Sequence, residues 1–340
     1  MKKIFSFLVL AAVAATALVS CQQDIQGTIE PAAKGVNSFK FYAQSADALT
    51  KATLTPNSGE TAFAAAWTGG DAMELSTEGY KTADGSTVSF NKTTGTATWD
   101  ADDEAFTADY GEDVTIPEEA YTKWTYNAYF PAKEGSFGSA RVQKGNAYNS
   151  AYDLMYGNLE TSDCVIGKDS EGAPIVIPMN RLTAIAYYHI EDANAPNEKV
   201  VSATLTVDEG KFIAADCVRI CDNGTMIYTT DSENNETGTN SITITFDGDS
   251  APSAQDFTLW YNLLVIASND YVIDGSRANP GYTDSPAQYN VPLDIETPGH
   301  TARLTSKSPR SFTAGKLNRA HITSGLTWTA KVKGNPYTWD

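Results

Sequence analysis

The stretch Trp124-Thr125-Tyr126-Asn127-Ala128-Tyr129-Phe130-Pro131 gives the strongest strand signal in the sequence. Aromatic and β-branched residues are enriched in strands, and Pro131 ends the run because proline cannot donate a hydrogen bond to a sheet. Further short candidates, in which apolar and polar residues alternate, occur on both sides of it, as in residues 38–43, 199–207 and 241–246. Gly, Asn and Asp clusters separate these runs and helical periodicity is weak, so the sequence predicts an all-β fold built of sandwiches.

A polar break near the middle of the 340-residue chain predicts two domains. Residues 168–173 read Lys-Asp-Ser-Glu-Gly-Ala and interrupt the strand pattern. We place the boundary after Gly172, which gives β-sandwiches over residues 37–172 and 173–340. Each half then has about 150 residues, a usual size for one domain.

The N-terminus has the pattern of an export signal. Lys2 and Lys3 precede an apolar run that ends in Leu18-Val19-Ser20-Cys21, and this run is shorter than the ~20 residues that span a membrane. The last four residues resemble a bacterial lipobox, in which the thiol of Cys21 would carry diacylglycerol. We therefore predict a lipoprotein signal peptide over residues 1–20, a tether over residues 21–36 and attachment to the outer membrane through lipid. A plain cleaved signal and an uncleaved anchor are the alternatives.

The charge of the chain argues against one class of partner. The formal net charge is −18 at pH 7, whereas nucleic-acid binding needs a basic face. We therefore expect no nucleic-acid partner.

Three cysteines remain if Cys21 carries lipid: Cys164, Cys217 and Cys221. Cys217 and Cys221 are four residues apart, which in a strand separates them by about 13 Å, too far for a disulfide. We expect buried free thiols, with one disulfide as the alternative.

Sequence motifs for catalysis or metal binding are absent. The chain has no Gly-x-Ser-x-Gly, His-Glu-x-x-His or phosphate-loop motif, each of which carries a specific chemistry. The histidines, His189, His300 and His321, do not lie near a cysteine at zinc spacing. The sequence therefore predicts no enzyme, no cofactor and no metal site.

Several short motifs, in order along the chain, resemble those of the fimbrillins, the pilin-type lipoproteins of Bacteroidales. Besides the lipobox they are Trp67-Thr68-Gly69-Gly70-Asp71, Tyr129-Phe130-Pro131, Asp153-Leu154-Met155-Tyr156, Arg181-Leu182-Thr183-Ala184 and Phe312-Thr313-Ala314-Gly315-Lys316. Within these motifs the chain departs from the family at Arg181-Leu182, where many members have His-Leu.

The resemblance implies two transthyretin-like β-sandwiches and a structural role in cell-surface fimbriae, as pilin, anchor or tip, that supports adhesion. The partners would be other fimbrial subunits. In polymerising members a protease removes the first strand, and a donor strand of the next subunit fills the groove that is left, which is strand addition to a sheet.

Two segments fit these roles. Phe39 and Phe41 share one face of a candidate first strand, and a candidate donor strand near the C-terminus carries Leu326, Trp328, Ala330 and Val332 on one face. The alternative is that both are ordinary edge strands of closed sandwiches.

The processing site departs from the family pattern. Polymerising members have an arginine after the first strand, whereas the first arginine here is Arg141, and Lys51 is the nearest basic residue. Either a protease cuts at Lys51, or the chain stays anchored by its lipid.

A surface glycan-binding lipoprotein is the alternative function. Sugars stack on exposed aromatic rings, and the chain has six tryptophans. Most of them lie in alternating apolar strands and are predicted to be core residues, with Trp339 as the most exposed. The six are Trp67, Trp99, Trp124, Trp260, Trp328 and Trp339.

Overall fold

A computed structural model of the chain describes most residues from Gly35 to Val332. The described ranges are 35–45, 53–56, 63–83, 85–132, 137–139, 142–145, 147–208, 213–220, 226–228, 238–264, 272–273, 276–278, 288–305, 310–312 and 315–332. Within these ranges no helix is long and apolar enough to cross a membrane.

Strands make up nearly all of the regular structure in these ranges, with short 3₁₀ helices at Ser150–Tyr152 and Gly248–Ser250. The first strands are β1 (Gly35–Val36), β2 (Ser38–Ser45), β3 (Thr53–Pro56), β4 (Phe63–Ala66), β5 (Ala72–Ala83), β6 (Ser86–Asp100), β7 (Ala105–Asp109), β8 (Ile116–Pro117), β9 (Tyr121–Phe130), β10 (Phe137–Ser139), β11 (Val142–Lys144), β12 (Met155–Cys164) and β13 (Val176–Arg181). The later strands are β14 (Thr183–Glu191), β15 (Ser202–Thr206), β16 (Ala214–Ile220), β17 (Met226–Tyr228), β18 (Gly238–Thr239), β19 (Ser241–Thr245), β20 (Asp256–Leu264), β21 (Val272–Ile273), β22 (Ser276–Ala278), β23 (Gln288–Tyr289), β24 (Leu293–Glu296), β25 (His300–Leu304), β26 (Arg310–Ser311), β27 (Leu317–Ile322) and β28 (Thr327–Ala330). The prediction of an all-β fold is confirmed.

Seven strands of the first half form a sheet that closes on itself, in the order β12-β13-β2-β7-β6-β5-β9. The predicted aromatic strand is β9, which pairs with β5 and β12. Trp124 on β9 is fully buried and its Nε1 donates to the carbonyl of Cys164 at 3.0 Å. Gly79 lies opposite Trp124 in the register, and a side chain there would collide with the indole ring. Strand β5 therefore packs directly against the Trp124 side chain of β9.

Two facing sheets form the core of the second half. One has the order β11-β19-β15-β24-β25-β28 and the other has the order β20-β14-β27. The alternation predicted at 199–207 and 241–246 is present, because Ala203 and Leu205 on β15 and Ile242 and Ile244 on β19 are buried together. Side chains of β14 and β20 join the same cluster, which makes it the interior of a sandwich.

Along the chain, the residues of the first apolar core end and those of the second begin close to the predicted domain boundary. The first core ends at Met179 and the second begins at Ala184, while the described residues from Gly35 onward form one compact unit. Strand β13, which follows Gly172, belongs to the closed sheet, and β11 pairs with β19 of the second half. The division into domains stays a prediction, and we propose Leu182 as the better boundary.

Arg181, which lies in the chain between the last residue of the first core and the first residue of the second, forms a buried ion pair. Nε of Arg181 donates to both carboxylate oxygens of Asp153, at 2.9 and 2.8 Å, and both side chains are inaccessible to solvent. The hydroxyl of Thr183 donates to Asp153 at 2.5 Å, and the hydroxyl of Tyr148 also donates to this carboxylate. We call these four residues the junction network.

The network neutralises charges that would be costly to bury alone. Burial by itself lowers the pKa of Arg181, but Asp153 and Tyr148 together outweigh this effect and raise that pKa above its usual value. Burial, and then the charge of Asp153, hold the pKa of Tyr148 well above 10, so its hydroxyl keeps the proton that it donates. A buried ion pair needs such additional hydrogen bonds to offset desolvation.

We expect Asp153→Ala to lower the free energy of unfolding by about 3–5 kcal/mol, because it leaves Arg181 buried without its counter-charge. Urea denaturation followed by tryptophan fluorescence would measure the loss. The matched control is Asp103→Ala, which removes the carboxylate of the exposed pair with Lys40 and should leave the midpoint nearly unchanged. The double variant D153L/R181M should recover part of the loss, since it removes both buried charges. Equal losses in D153A and D103A would contradict this account of the network.

Candidate strand-exchange site

The candidate first strand, β2, is the strand that closes the seven-stranded sheet. Its first half pairs antiparallel with β7, where Phe41 lies opposite Phe106. Its second half pairs parallel with β13, where Ala43 lies opposite Ile177. Without β2 the sheet would therefore be open, with β7 and β13 as its two edges.

Phe39 and Phe41 point from β2 into the interior, as their alternation predicts. Phe41 is fully buried and its ring lies 5.6 Å from that of Phe106. Phe39 is partly buried, and its ring lies 6.0 Å from the ring of Tyr110 and 6.1 Å from that of Tyr126. The outward residues differ, because Lys40 forms an exposed ion pair with Asp103. Strand β2 thus places an apolar stripe in the closed sheet and a polar one on its surface.

The surface under Phe39 is uncharged. Burial raises the pKa of Tyr126 to about 12, and also raises that of Tyr110. The Tyr110 hydroxyl lies 2.6 Å from the Oγ1 of Thr77, while the hydroxyl of Tyr126 accepts from the Gly167 N–H at 3.0 Å. Both tyrosines keep their protons at neutral pH, so this surface suits an apolar strand.

The backbone at Gly167 approaches the ring of Phe39 closely. Gly167 has φ of +69°, and a Cβ there would lie 2.5 Å from Cδ2 of Phe39. Only glycine satisfies both the left-handed conformation and this contact.

The candidate donor segment forms β28, at one edge of the six-stranded sheet. It pairs with β25 alone in the described part of the chain. Leu326 and Trp328 are partly buried against the core of the second half, and Nε1 of Trp328 donates to Asp192 at 3.0 Å. Ala330 is exposed, and Val332 is 94% exposed. The predicted face is therefore packed at its first two positions and open at its last two.

Several predicted residues fall outside the description. Cys21, Lys51, Cys221 and Trp339 lie outside the described residues, as does the side chain of Cys217. Cys164 is a buried free cysteine. The lipid site, the processing site and the redox state of the other two cysteines stay predictions.

The tryptophans do not form an exposed surface in the described part of the chain. Trp67, Trp124 and Trp260 are buried, and Trp99 and Trp328 are partly buried against the two cores. The exposed aromatic side chains among the described residues belong to Tyr42 and Tyr80, on strands β2 and β5, which are not neighbours. Nothing in the described residues favours a glycan-binding platform.

The structure also brings together residues that the sequence did not connect. The ligand atoms of His189, Glu191 and His321 lie within 4.8 Å of one another, a grouping that can hold a metal ion. The expectation of no metal site rested on spacing along the chain. Only the register of β14 and β27, which places His189 beside His321, could have revealed this cluster.

No protein-family model matches the sequence, and no curated protein matches it. Solved structures match over most of its length. A "putative cell adhesion protein" from Bacteroides ovatus is 10% identical over 91% of this chain and 100% of that one, with a TM-score of 0.48. Another, from Bacteroides uniformis, is 16% identical over 87% and 97%, with a TM-score of 0.44. A fimbrial protein from Bacteroides ovatus is 11% identical over 86% of this chain but 49% of its own, with a TM-score of 0.38. At these scores the matches carry no argument about the partners of this chain.

We expect Gly167→Ala to weaken the seating of β2, because the added methyl group collides with Phe39 in a left-handed conformation. Gly172→Ala is the matched control, since Gly172 also has positive φ, of +81°, but a Cβ there meets no atom within 4 Å. Both variants should lose about 1–2 kcal/mol of stability through backbone strain. The G167A variant should lose more, and should show faster hydrogen exchange in β2. Equal losses and unchanged exchange would mean that the contact with Phe39 does not hold the strand.

Proposed function

We propose that this protein is a structural subunit of cell-surface fimbriae, assembled by strand exchange and supporting adhesion, rather than an enzyme. The observation that carries the proposal is the position of β2, a strand near the start of the described chain that joins β7 to β13 in the closed sheet and places Phe39 and Phe41 against its interior. Removal of this one strand would open a groove without removing any other strand of the sheet.

The groove would have the properties that strand addition requires. Its sides would be the unpaired backbones of β7 and β13, and its floor would include Phe106, Tyr110 and Tyr126, which β2 now covers. An added strand recovers the main-chain hydrogen bonds, and alternate side chains fill the apolar positions. An exposed edge of this kind is normally a liability for aggregation, and here it would be the means of assembly.

Strand β28 of a second copy is the proposed donor. In the part of the chain that the structure describes it pairs with β25 alone, so its release breaks one ladder of hydrogen bonds there. Leu326 and Trp328 would have to leave their own core, and entry into the groove would compensate by burying these side chains again, together with Ala330 and Val332. The exposed last two positions are the part of the face that gains burial only in the assembly.

We further propose that Cys21 carries lipid and that the chain is exported to the outer membrane. Cleavage at Lys51 would release β2 together with the lipid-bearing segment, because Lys51 follows β2 in the chain. A chain that is not cleaved would stay at the membrane as an anchor or accessory component. The partners in either case are other fimbrial subunits.

The double variant A330D/V332D should abolish the ladder of subunits on a gel of surface material, because it places carboxylates where the donor face must become buried. Both positions are exposed in the subunit, so export and the unfolding midpoint should not change. The matched control T327D/T329D alters the opposite face of β28, whose threonines are also exposed, and should keep the ladder. A ladder that persists in A330D/V332D would remove β28 from the mechanism.

N-terminal sequencing and mass spectrometry of protein from cells should separate two populations. A chain that begins at Ala52 has lost β2 and belongs to the polymer, while a chain that begins at an acylated Cys21 has kept it. We expect Lys51→Gln to eliminate the first population and to leave the second. Trimming elsewhere, with β2 retained in the polymer, would contradict the exchange of this strand.

A further inference from the structure

Two histidines face each other on neighbouring strands of the three-stranded sheet, near the C-terminal ends of β14 and β27. His189 on β14 and His321 on β27 are register partners in a parallel pair. Their rings are nearly parallel, at 5°, with centroids 4.6 Å apart. Glu191 follows two residues after His189, and its Oε2 lies 2.7 Å from Nε2 of His321. The ligand atoms of these three side chains are all within 4.8 Å of one another.

A fourth side chain supports the arrangement from the other side of β14. Asp256 on β20 lies opposite Glu191 in the register, and its Oδ1 is 3.0 Å from Nε2 of His189. Carboxylates in contact with metal-binding histidines commonly fix the orientation of the ring and raise its basicity. The sheet therefore holds two imidazoles and two carboxylates on one face, with their backbones fixed by hydrogen bonds on three adjacent strands.

From this grouping we propose a binding site for a divalent transition metal of the zinc type, with His189, His321 and Glu191 as ligands and Asp256 as the supporting carboxylate. Imidazole nitrogens suit zinc, copper and nickel, whereas calcium and magnesium prefer sites made of oxygen alone. Two histidines and one carboxylate are also a common three-ligand set for zinc with one position left open. The proposal is independent of strand exchange, because β2 and β28 contribute no residue to the site.

Metal binding requires these side chains to rearrange, because the two parallel rings must turn until their nitrogens converge and the 2.7 Å contact between Glu191 and His321 must widen. Ligands of a tetrahedral zinc ion lie about 2.1 Å from the metal, which places them about 3.4 Å from one another. Glu191 and His321 have about half of their side-chain surface exposed, so they can move without disturbing a packed core. His189 is more buried, at 17%, and serves as the fixed side of the site.

The competing account is a pair of ordinary ion pairs, in which each protonated histidine contacts a carboxylate. The two accounts differ in their response to added metal. A metal competes with protons for the imidazole nitrogens, so its binding weakens as the pH falls, whereas the contacts of the histidines with the carboxylates need no metal. Glu191, Asp256 and Arg319 are the charged groups that share this face with the histidines.

The test is calorimetric titration of zinc chloride into the untagged full-length chain in detergent at pH 7.5. We expect one site per chain, with binding that is at least tenfold weaker at pH 5.5. His189→Ala and His321→Ala should each abolish this site, and Asp256→Asn should weaken it by about 10- to 100-fold. His300→Ala is the matched control, because His300 contacts Glu198 and takes no part in the cluster, and it should bind zinc as the unchanged chain does.

The melting temperatures of the same samples, measured with and without zinc, test the proposal even if one variant is unstable. His321 is half exposed, so H321A should keep its melting temperature without zinc and lose only the upward shift that zinc produces in the unchanged chain. Binding that survives in both H189A and H321A would place the metal elsewhere, for example on the cysteines, and would overturn the proposal. Absence of any binding to the unchanged chain at millimolar zinc would overturn it as well.

Discussion

The closure of one sheet by β2 is the constraint on which the first half of the structure depends. Every buried backbone N–H and C=O must be paired, and in a closed sheet each strand is paired on both sides. Strand β2 satisfies β7 along its first half and β13 along its second, while Phe41 fills the interior between them. Complete burial of such a side chain contributes about 1.5–3 kcal/mol, so the strand is held by its hydrogen bonds and its apolar face together.

The junction network lies between the two apolar cores of the chain. An ion pair of zero exposure adds little net stability, because desolvation of both charges offsets their attraction. Its geometry, however, is directional, since Arg181 contacts both oxygens of Asp153 and Thr183 contacts one of them. The network therefore links the end of β13 and the start of β14 to the segment before β12 through directional contacts.

The sequence predicted those features that depend on neighbouring residues and missed those that depend on distant pairing. The strand of Trp124 to Phe130 follows from its aromatic and β-branched residues. The alternation of β15 and β19 follows from the burial of one face, which a period of two reports directly. Asp153 and Arg181 each belong to one of the short motifs that resemble those of fimbrillins, but their contact follows from the register of β12 and β13. Two important pairs, β2 with β13 and β14 with β27, are parallel. Parallel strands are not joined by a hairpin, so no turn sequence between them predicts the pair. The histidine cluster, which depends on such a pair, could therefore not be found from spacing along the chain.

The contrast between β2 and β28 explains why the proposed assembly would need a cut in the chain. Among the described residues β28 pairs with one strand, so its release would break one ladder of hydrogen bonds. Strand β2 has two partners and a fully buried phenylalanine, so a competing donor strand would have to displace it against all of these contacts at once. Cleavage after β2 removes the covalent link that returns the displaced strand to its groove at high effective concentration. In the proposed assembly the donor would then compete with a free peptide rather than with a tethered strand, and the groove that is closed in the subunit would become available only after processing.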